Sequence, residues 1–566
     1  MTHPPSKFDL QARKAVESGN PEYALQILED GIRCHPTSSQ LRNTAGSISL
    51  QIGKPGDAAE FFRLAFKLSP DNFEIGLNCV IALSAKGDHE IALNLARDLE
   101  RKGKLDPRYW SARAHAARQS GDLKEAAQSY DRCLALNPEY KRGQHGRART
   151  ALERGENDAV LRFDQAIQSN PQVADLWLGK AQALDAAGQP AEALALAEQI
   201  TIQLPNWVEA LTMVAQLKLS LGIAAFDQQF REAAERQPND KAIVHAHIQV
   251  LASQELYGKA ARVAKRAQAT FEGDPWFELA EAINVGMSGD HERAKHIFDN
   301  LELDSPQRWL HQGRHHLRAG ELTQAEKMLQ LSMNESELTH TAYALLGILW
   351  RVKEDPRAVW LHEQPGIIQS RGLKGGTELF QELTSVLNYL HDKSSFPLGQ
   401  SLRGGTQTRH ILLNRHEAVF EELRNCILNT LEEYRLRLPP QDEKHPFLKF
   451  RDSDWKLAGS WSVRLRAGGD HHAPHIHPQG MLSSALYLVV PSENSDGSES
   501  GFLELGRPPA DLGLDLPPLL TIKPAPLELA LFPSTLFHGT RPFTGTNRMT
   551  VAFDVIPVPK ATDDRK

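Results

Sequence analysis

Residues 120–138 read SGDLKEAAQSYDRCLALNP, and this stretch contains the pattern that decides the fold. Gly121 lies in a turn, Ala126 follows five residues later, and Pro138 closes the stretch. Glycine favours a turn, and proline lacks the N–H group that would continue a helix. A small alanine between them lets the second helix of a pair approach the first closely. The stretch therefore predicts a turn, a closely packed helix and a helix end.

The same three signals return over roughly residues 5 to 335. From Gly19 to Gly155 the spacing between turns is 34 residues at every step. The turns lie at Gly19, Gly53, Gly87, Gly121, Gly155, Gly188, Gly222, Gly289 and Gly320, with Leu256 or Gly258 filling the gap. The alanines are Ala24, Ala58, Ala92, Ala126, Ala193, Ala294 and Ala325, and the prolines expected to end second helices are Pro36, Pro70, Pro138, Pro171, Pro205, Pro238 and Pro306. This spacing predicts about ten helix–turn–helix units.

Residues 120–138 and AGQPAEALALAEQITIQLP (187–205) resemble tetratricopeptide repeats. The resemblance implies an all-α solenoid over residues 5–355 whose concave surface binds an extended peptide or another protein. A solenoid that only supports its neighbours, without a ligand of its own, is the alternative.

Bulk composition limits the other partners. The 64 Lys and Arg residues against 71 Asp and Glu give a net charge of -7, which disfavours nucleic acid. Cys34, Cys79, Cys133 and Cys426 form no CxxC pair, which favours a reducing cytoplasm. The sequence shows neither a secretion signal nor a long apolar segment, so we expect no membrane association.

The sequence pattern changes after about residue 355, where glycine and proline gather at 360–376. Two amphipathic helices are predicted at 377–392 and 416–438, and short strands separated by turn residues follow Trp455. Strand follows strand without an intervening helix, which predicts antiparallel sheets. We expect a multidomain protein whose second domain, residues 370–560, is a jelly roll with flanking helices.

Residues 471–478 read HHAPHIHP, and they carry the strongest chemical signal in this second domain. His475 and His477 are two residues apart, so a strand would place both side chains on one face. Imidazole is a common ligand for first-row metals, but two ligands hold a metal weakly. His538 lies at the end of a later predicted strand and offers the third ligand. Arg548 opens the next strand and could bind a carboxylate through two hydrogen bonds.

This order of parts resembles the Fe(II)/2-oxoglutarate oxygenases, and in particular the oxygenase domains that often follow tetratricopeptide repeats. The resemblance covers residues 375–558 and rests on SLRGGTQT (401–408), WSVRLRAGG (461–469), HIHPQGMLSSALYLVVP (475–491), FPSTLFHGT (532–540) and RMTVAFDV (548–555). It implies a dioxygenase that uses Fe(II), 2-oxoglutarate and O₂, with ascorbate as a supporting reductant. It places iron at His475, His477 and His538, and the distal carboxylate of 2-oxoglutarate at Arg548. Tyr487 is a second candidate contact for that carboxylate.

One position departs from the usual pattern of this superfamily. Most members carry HxD, with a carboxylate where this chain has His477. Asp470, Glu504 or Asp554 could reach the metal in its place, and we favour His477. We expect His471 and His472 to lie in a loop, either solvated or supporting a ligand.

Other interpretations remain open at this stage. GxxxxxHxH from Gly469 also begins a cupin motif, but the glutamate that such a motif needs is replaced by Met481 or Leu482. Arg548 could be a strand-edge charge, and Tyr487 a core aromatic residue. The protein could also be a scaffold with a catalytically silent barrel. The fusion to a solenoid favours a protein or peptide substrate for hydroxylation, with a free small molecule as the alternative.

Overall fold

The computed structural model describes residues 4–394, 401–466, 468–491, 499–543 and 546–558. The chain divides into two compact units, Met1–Ala183 and Leu184–Lys566. Helices fill the first unit and the first part of the second, and the strands follow. The division into domains at 5–355 and 370–560 remains a prediction, and the expected limit at residue 560 lies outside the described residues.

The repeat region is a series of antiparallel helix pairs, each made of a first and a second helix. The helices are α1 (Pro5–Glu17), α2 (Pro21–Cys34), α3 (Ser39–Gln51), α4 (Pro55–Leu68), α5 (Phe73–Lys86), α6 (His89–Asp98), α7 (Glu100–Gly103), α8 (Pro107–Ser120), α9 (Leu123–Leu136), α10 (Lys141–Glu153), α11 (Ala159–Ser169), α12 (Ala174–Ala186), α13 (Pro190–Gln203), α14 (Val208–Ser220), α15 (Gln228–Arg236), α16 (Lys241–Ser253), α17 (Tyr257–Thr270), α18 (Pro275–Met287), α19 (His291–Asn300), α20 (Pro306–Arg318), α21 (Leu322–Ser332), α22 (Thr339–Val352) and α23 (Arg357–His362). Ten such pairs occupy the described residues between α1 and α21, as the spacing predicted.

The turns between paired helices use the left-handed backbone conformation. All nine predicted turn glycines have positive φ, from 63° at Gly155 to 100° at Gly87. In the gap, however, the left-handed residue is Glu255, at φ 56°, and neither Leu256 nor Gly258. The prediction was wrong because the hydrophobic and glycine signals there belong to the start of α17.

The predicted alanines pack where the helices approach each other. Ala24, Ala58, Ala126, Ala193 and Ala325 are each 0% exposed. Pro36 and Pro138 lie two residues beyond the ends of α2 and α9, as expected. Pro306 instead begins α20, which corrects its assignment as a helix end. Proline is compatible with both places, because the first turn of a helix needs no N–H donor from its first residues.

The strand-rich part of the second unit also contains two further helices, α24 (Gly376–Asp392) and α25 (Ala418–Leu436), close to their predicted bounds. Its strands are β1 (Gln369–Gly372), β2 (Leu402–Arg403), β3 (Thr406–Gln407), β4 (Asp454–Leu465), β5 (His471–His472), β6 (Leu482–Val489), β7 (Leu503–Leu505), β8 (Leu520–Ile522), β9 (Glu528–Pro533), β10 (His538–Thr540) and β11 (Arg548–Val558).

All strand pairs in the described residues are antiparallel, as expected from strands that follow one another directly. The largest sheet has the order β1-β9-β6-β11-β4-β3, a second has β10-β7-β8, and β2 pairs with β5. The large sheet packs against α24 and α25 through a core that includes Leu383, Phe420, Leu486 and Phe553.

Three details of the candidate site differ from the sequence expectation. His475 forms only an isolated bridge and His477 lies outside any strand, although both were expected in one. Pro474 and Pro478 flank this segment and cannot donate to a strand ladder. His538 begins β10 and does not end a strand. His471 and His472 form β5, where a loop was expected.

Among the described residues, none of the helices combines the length and the hydrophobicity that a membrane span requires. All four cysteines are free thiols.

Candidate metal centre

Three imidazoles meet in the strand-rich part of the second unit. His475, His477 and His538 each offer one nitrogen, and these nitrogens all lie within 4.8 Å of one another. The ring centroids are 4.2 Å apart for His475 and His538, 5.1 Å for His475 and His477, and 4.9 Å for His477 and His538. The structure therefore brings together the three histidines that the sequence singled out.

The backbone fixes two of the three residues relative to each other. His475 N donates to His538 O at 3.0 Å, and His538 N donates to His475 O at 2.9 Å. This pair of hydrogen bonds places residues 63 positions apart directly opposite each other. His477 lies on the same segment as His475 and reaches the same space.

The second nitrogen of each ring is held by an oxygen acceptor. His475 Nδ1 lies 2.9 Å from Ala473 O, His538 Nδ1 lies 3.1 Å from Leu536 O, and His477 Nδ1 lies 2.6 Å from Asp554 Oδ1. A carbonyl or carboxylate oxygen can only accept, so each Nδ1 carries a proton, and Nε2 is then the nitrogen that a neutral ring offers to a metal. This is the usual way in which a protein orients imidazoles toward a metal.

Burial keeps two of these rings neutral. It lowers the pKa of His475 to about 3, and the neighbouring His477 adds to the effect. It also holds the pKa of His538 well below its ordinary value, with His475 as the next cause. Neutral imidazole is the form that binds a metal, so this donor set fits a divalent first-row ion.

The three candidate carboxylates all lie outside the group of donors. Asp554 stands behind His477, and Ser483 Oγ lies 3.2 Å from both His477 Nδ1 and Asp554 Oδ1. Glu504 accepts hydrogen bonds from two arginines, and Asp470 accepts one from a backbone N–H group. Among the described residues, no carboxylate joins the three histidines as a possible ligand. The carboxylate of Asp554 is therefore connected to the three-histidine group only indirectly, through its hydrogen bond with His477.

Arg548 and Tyr487 form a second polar feature on adjacent strands, β11 and β6. Their side chains are buried, and Arg548 Cζ lies 5.2 Å from the centroid of the Tyr487 ring. Neither Tyr487 Oη nor Arg548 Nε has a well-formed hydrogen bond to any described residue. Burial raises the pKa of Tyr487, against the opposing charge of Arg548. Buried donors without an acceptor are costly, so the pair is suited to a buried anion such as a carboxylate.

His472 lies closer to the centre than the sequence indicated. Its ring stacks on His475 at 5.6 Å, and its Nδ1 lies 3.1 Å from Ser401 Oγ. Burial, followed by the charge of His475, holds the pKa of His472 well below its ordinary value. Of the two roles considered for this histidine, support of a ligand fits the structure. His471 instead bonds Gly469 O at 2.8 Å.

Helices of the repeat type pack against the two segments that carry the candidate metal ligands. Phe537, next to His538, is 4% exposed and belongs to a core cluster formed largely by α20, α21, α22 and α23. Ile476, between His475 and His477, packs against the same cluster. Nearby, Asp511 accepts hydrogen bonds from Arg314 and Arg318 of α20. No sequence pattern indicated the contacts of Asp511, which join residues nearly 200 positions apart.

Family models match both parts of the chain. Residues 459–554 match the family described as "Putative 2OG-Fe(II) oxygenase". Residues 49–116, 157–217 and 107–140 match tetratricopeptide-repeat models. A comparison with curated proteins finds no match.

Several solved structures are similar to parts of the helical region. A tetratricopeptide repeat protein from Parabacteroides merdae is 21% identical, with 43% of this chain and 97% of that chain covered and a TM-score of 0.36. Pseudomonas aeruginosa PilF is 18% identical, with 36% and 94% covered and a TM-score of 0.32. MamA from Desulfovibrio magneticus is 16% identical, with 31% and 98% covered and a TM-score of 0.29.

The 34-residue helix pairs agree with the tetratricopeptide-repeat matches. The oxygenase match at 459–554 includes His475, His477 and His538. The chain thus contains tetratricopeptide repeats in its N-terminal part, and its residues 459–554 match the "Putative 2OG-Fe(II) oxygenase" family.

Proposed function

We propose that this protein is an Fe(II)- and 2-oxoglutarate-dependent dioxygenase that hydroxylates a protein or peptide side chain. The observation that carries the proposal is the convergence of three imidazole nitrogens within 4.8 Å, each ring oriented by an acceptor at its Nδ1. The family match at 459–554 supports the same chemistry.

We also propose that the strand-rich region is a double-stranded β-helix, or jelly roll. The order β9-β6-β11-β4 within the large sheet supports this arrangement. The second sheet, β10-β7-β8, is extended by the isolated bridge between His538 and His475, in the segment that follows β5. Two facing four-stranded sheets of this kind form a barrel that can enclose a small site.

Each polar residue has a defined task in this proposal. His475, His477 and His538 hold the iron through Nε2, and Asp554 fixes the tautomer and orientation of His477. Arg548 and Tyr487 would hold the distal carboxylate of 2-oxoglutarate, which would give Arg548 Nε and Tyr487 Oη a buried acceptor. When bound, the iron and 2-oxoglutarate would supply O₂-dependent oxidation, coupled to release of succinate and CO₂.

The repeats support a protein or peptide as the substrate. Stacked helix pairs form an extended surface that repeat proteins commonly use to bind polypeptide. A free small molecule is the alternative substrate. The four separated thiols favour action in the reducing cytoplasm, where ascorbate can maintain ferrous iron.

Absorption spectroscopy without O₂ tests the proposal directly. Adding Fe(II) and 2-oxoglutarate should produce a visible metal-to-ligand charge-transfer band. Arg548→Ala should raise the 2-oxoglutarate concentration for half-maximal absorbance by at least about tenfold, because a buried bidentate contact is lost. The exposed Arg266→Ala variant is the matched control and should behave as wild type. A metal-bound protein without this band would instead favour a cupin-type dioxygenase, and a protein that binds no metal would favour a scaffold.

A further inference from the structure

Glu255 is unusual among the turns that join the paired helices. The nine glycine turns adopt positive φ without strain, whereas Glu255 adopts φ 56° with a side chain. A glycine here would remove that strain, so the turn itself does not explain the glutamate. Glu354 adopts a similar φ of 52° in the turn between α22 and α23, and it provides an internal reference.

The Glu255 carboxylate forms an ion pair with Arg403 of β2. The side chain of Glu255 is 54% exposed and that of Arg403 is 35% exposed, so the ion pair contributes little to the stability of the fold. An exposed ion pair therefore does not offset the strained backbone. The contact is better explained by where it holds Arg403 than by stability.

Arg403 belongs to residues 401–410, which we name the lip segment. It contains Gly404 and Gly405, at φ 84° and 77°, and two glycines in sequence give little stiffness of their own. A second repeat residue holds its other end, because Arg409 Nη2 donates to Asp185 Oδ1 at 2.7 Å. Asp185 is 11% exposed, so this second contact is largely sheltered from water. Two acidic residues from different helix pairs thus contact the two ends of the lip segment, and its middle pairs with β4 through Thr406 and Gln407.

The lip segment is connected to a candidate ligand by a short series of hydrogen bonds. Arg403 pairs with His471, and Leu402 pairs with His472, between β2 and β5. Ala473 N donates to Ser401 O at 3.0 Å, and Ala473 O accepts from His475 Nδ1 at 2.9 Å. A shift of the lip segment would therefore move the acceptor that orients His475.

We infer that Glu255 and Asp185 are positioning residues that hold the lip segment, and through Ala473 the His475 ring, in place. The inference rests on the proposed function for its catalytic meaning, but the mechanical link is independent of bound metal. The repeats in the second unit are then part of the candidate active site and do more than recruit a substrate.

Hydrogen exchange measured by mass spectrometry on the full chain, without metal, tests the link. Glu255→Gly should leave the repeat turn folded, with an unchanged or higher Tm, because strain is relieved. Amides of residues 401–410 and 471–473 should nevertheless exchange about two- to fivefold faster, the range expected when an exposed ion pair is lost. Glu354→Gly relieves similar strain at another turn and should leave those amides unchanged.

A double-mutant cycle separates the ion pair from other effects. Adding Arg403→Gln to Glu255→Gly should cause little further change in exchange, because the contact is already absent. The inference would be overturned if the two substitutions had additive effects on amide exchange. It would also be overturned if exchange in Glu255→Gly matched exchange in Glu354→Gly.

Turnover then distinguishes this inference from the proposed function. If wild type turns over 2-oxoglutarate, Glu255→Gly should raise its KM by a similar two- to fivefold factor, with little change in kcat. An unchanged KM would overturn the catalytic part of the inference. Faster exchange in Glu255→Gly, together with a wild-type protein that neither binds iron nor releases succinate, would support the link and reject the oxygenase proposal.

Discussion

The repeats of the first unit and those of the second share one helical pattern but pair their charged residues differently. In the first unit, Arg108 pairs with Glu74, and Arg118 pairs with Glu153, so each contact joins neighbouring helix pairs. In the second unit, Arg314 and Arg318 of α20 both bind Asp511 of the strand-rich region. Repeats of the second unit also form such pairs among themselves, as between Lys241 and Asp274, but they add ion pairs to the strand-rich region.

This difference shows how a repeat solenoid can become part of a candidate catalytic domain. In the second unit, a repeat-type helix cluster surrounds Phe537 and contacts Ile476, both adjacent to candidate ligands. The polar pairs Glu255–Arg403 and Asp185–Arg409 add contacts to the lip segment. We expect changes in these repeats to reach the metal centre, whereas similar changes in the first unit should affect only local stability.

The largest effect is expected from removing an aromatic side chain in each unit. Phe537 is 4% exposed and Phe62 is 1% exposed. Replacing either side chain by alanine leaves a cavity and should lower the free energy of unfolding by about 4 kcal/mol. Both losses should appear in hydrogen exchange of the affected unit. Only Phe537→Ala should also weaken metal binding, because it supports His538. Equal metal affinity in the two variants would contradict the comparison.

A smaller effect is expected from the charged pairs. Asp511→Ala removes the carboxylate that Arg314 and Arg318 share and should cost about 3 kcal/mol, measured by denaturant unfolding. Glu74→Ala removes one of the two carboxylates that the half-exposed Arg108 contacts, the other being Asp106, and should cost less than about 1 kcal/mol. If both variants lose the same stability, the two units do not differ in the way proposed.

The smallest effect concerns pH and the first unit. The contact with His145, followed by Arg149, lowers the pKa of Asp175 from 3.8 to about 2. A lowered folded-state pKa stabilises the protein above the unfolded value, and this stabilisation is lost as pH falls from about 4 to 2. Denaturant unfolding at pH 5 and pH 3 should show a smaller pH dependence for Asp175→Asn than for wild type. If the free energy of unfolding depended on pH identically in the two proteins, ionised Asp175 would not stabilise the folded state as proposed.

The local part of the fold could be predicted from the sequence. Turn glycines, packed alanines and terminal prolines act within one helix pair, so a 34-residue period was enough to place the pairs. Pro306 was misassigned because proline suits both helix starts and the residues after a helix end. The left-handed conformation of Glu255 was missed because glutamate has no local preference for it.

The candidate site was only partly visible in the sequence. The HxH spacing and a later histidine were enough to identify the three imidazoles, because histidines in this arrangement are uncommon unless they bind a metal. The backing of His477 by Asp554 could not be derived, because the two residues are 77 positions apart and spacing does not distinguish a ligand from its support. For the same reason, the contacts of Ile476, Phe537 and Asp511 with the repeat helices required the structure.

Metal stoichiometry tests the central claim most directly. Elemental analysis after anaerobic loading with Fe(II) should find one ion per wild-type chain. His538→Ala should lose that ion, while His296→Ala, which removes an exposed histidine, should retain it. One tightly bound ion in His538→Ala, or none in wild type, would contradict a metal centre built from His475, His477 and His538.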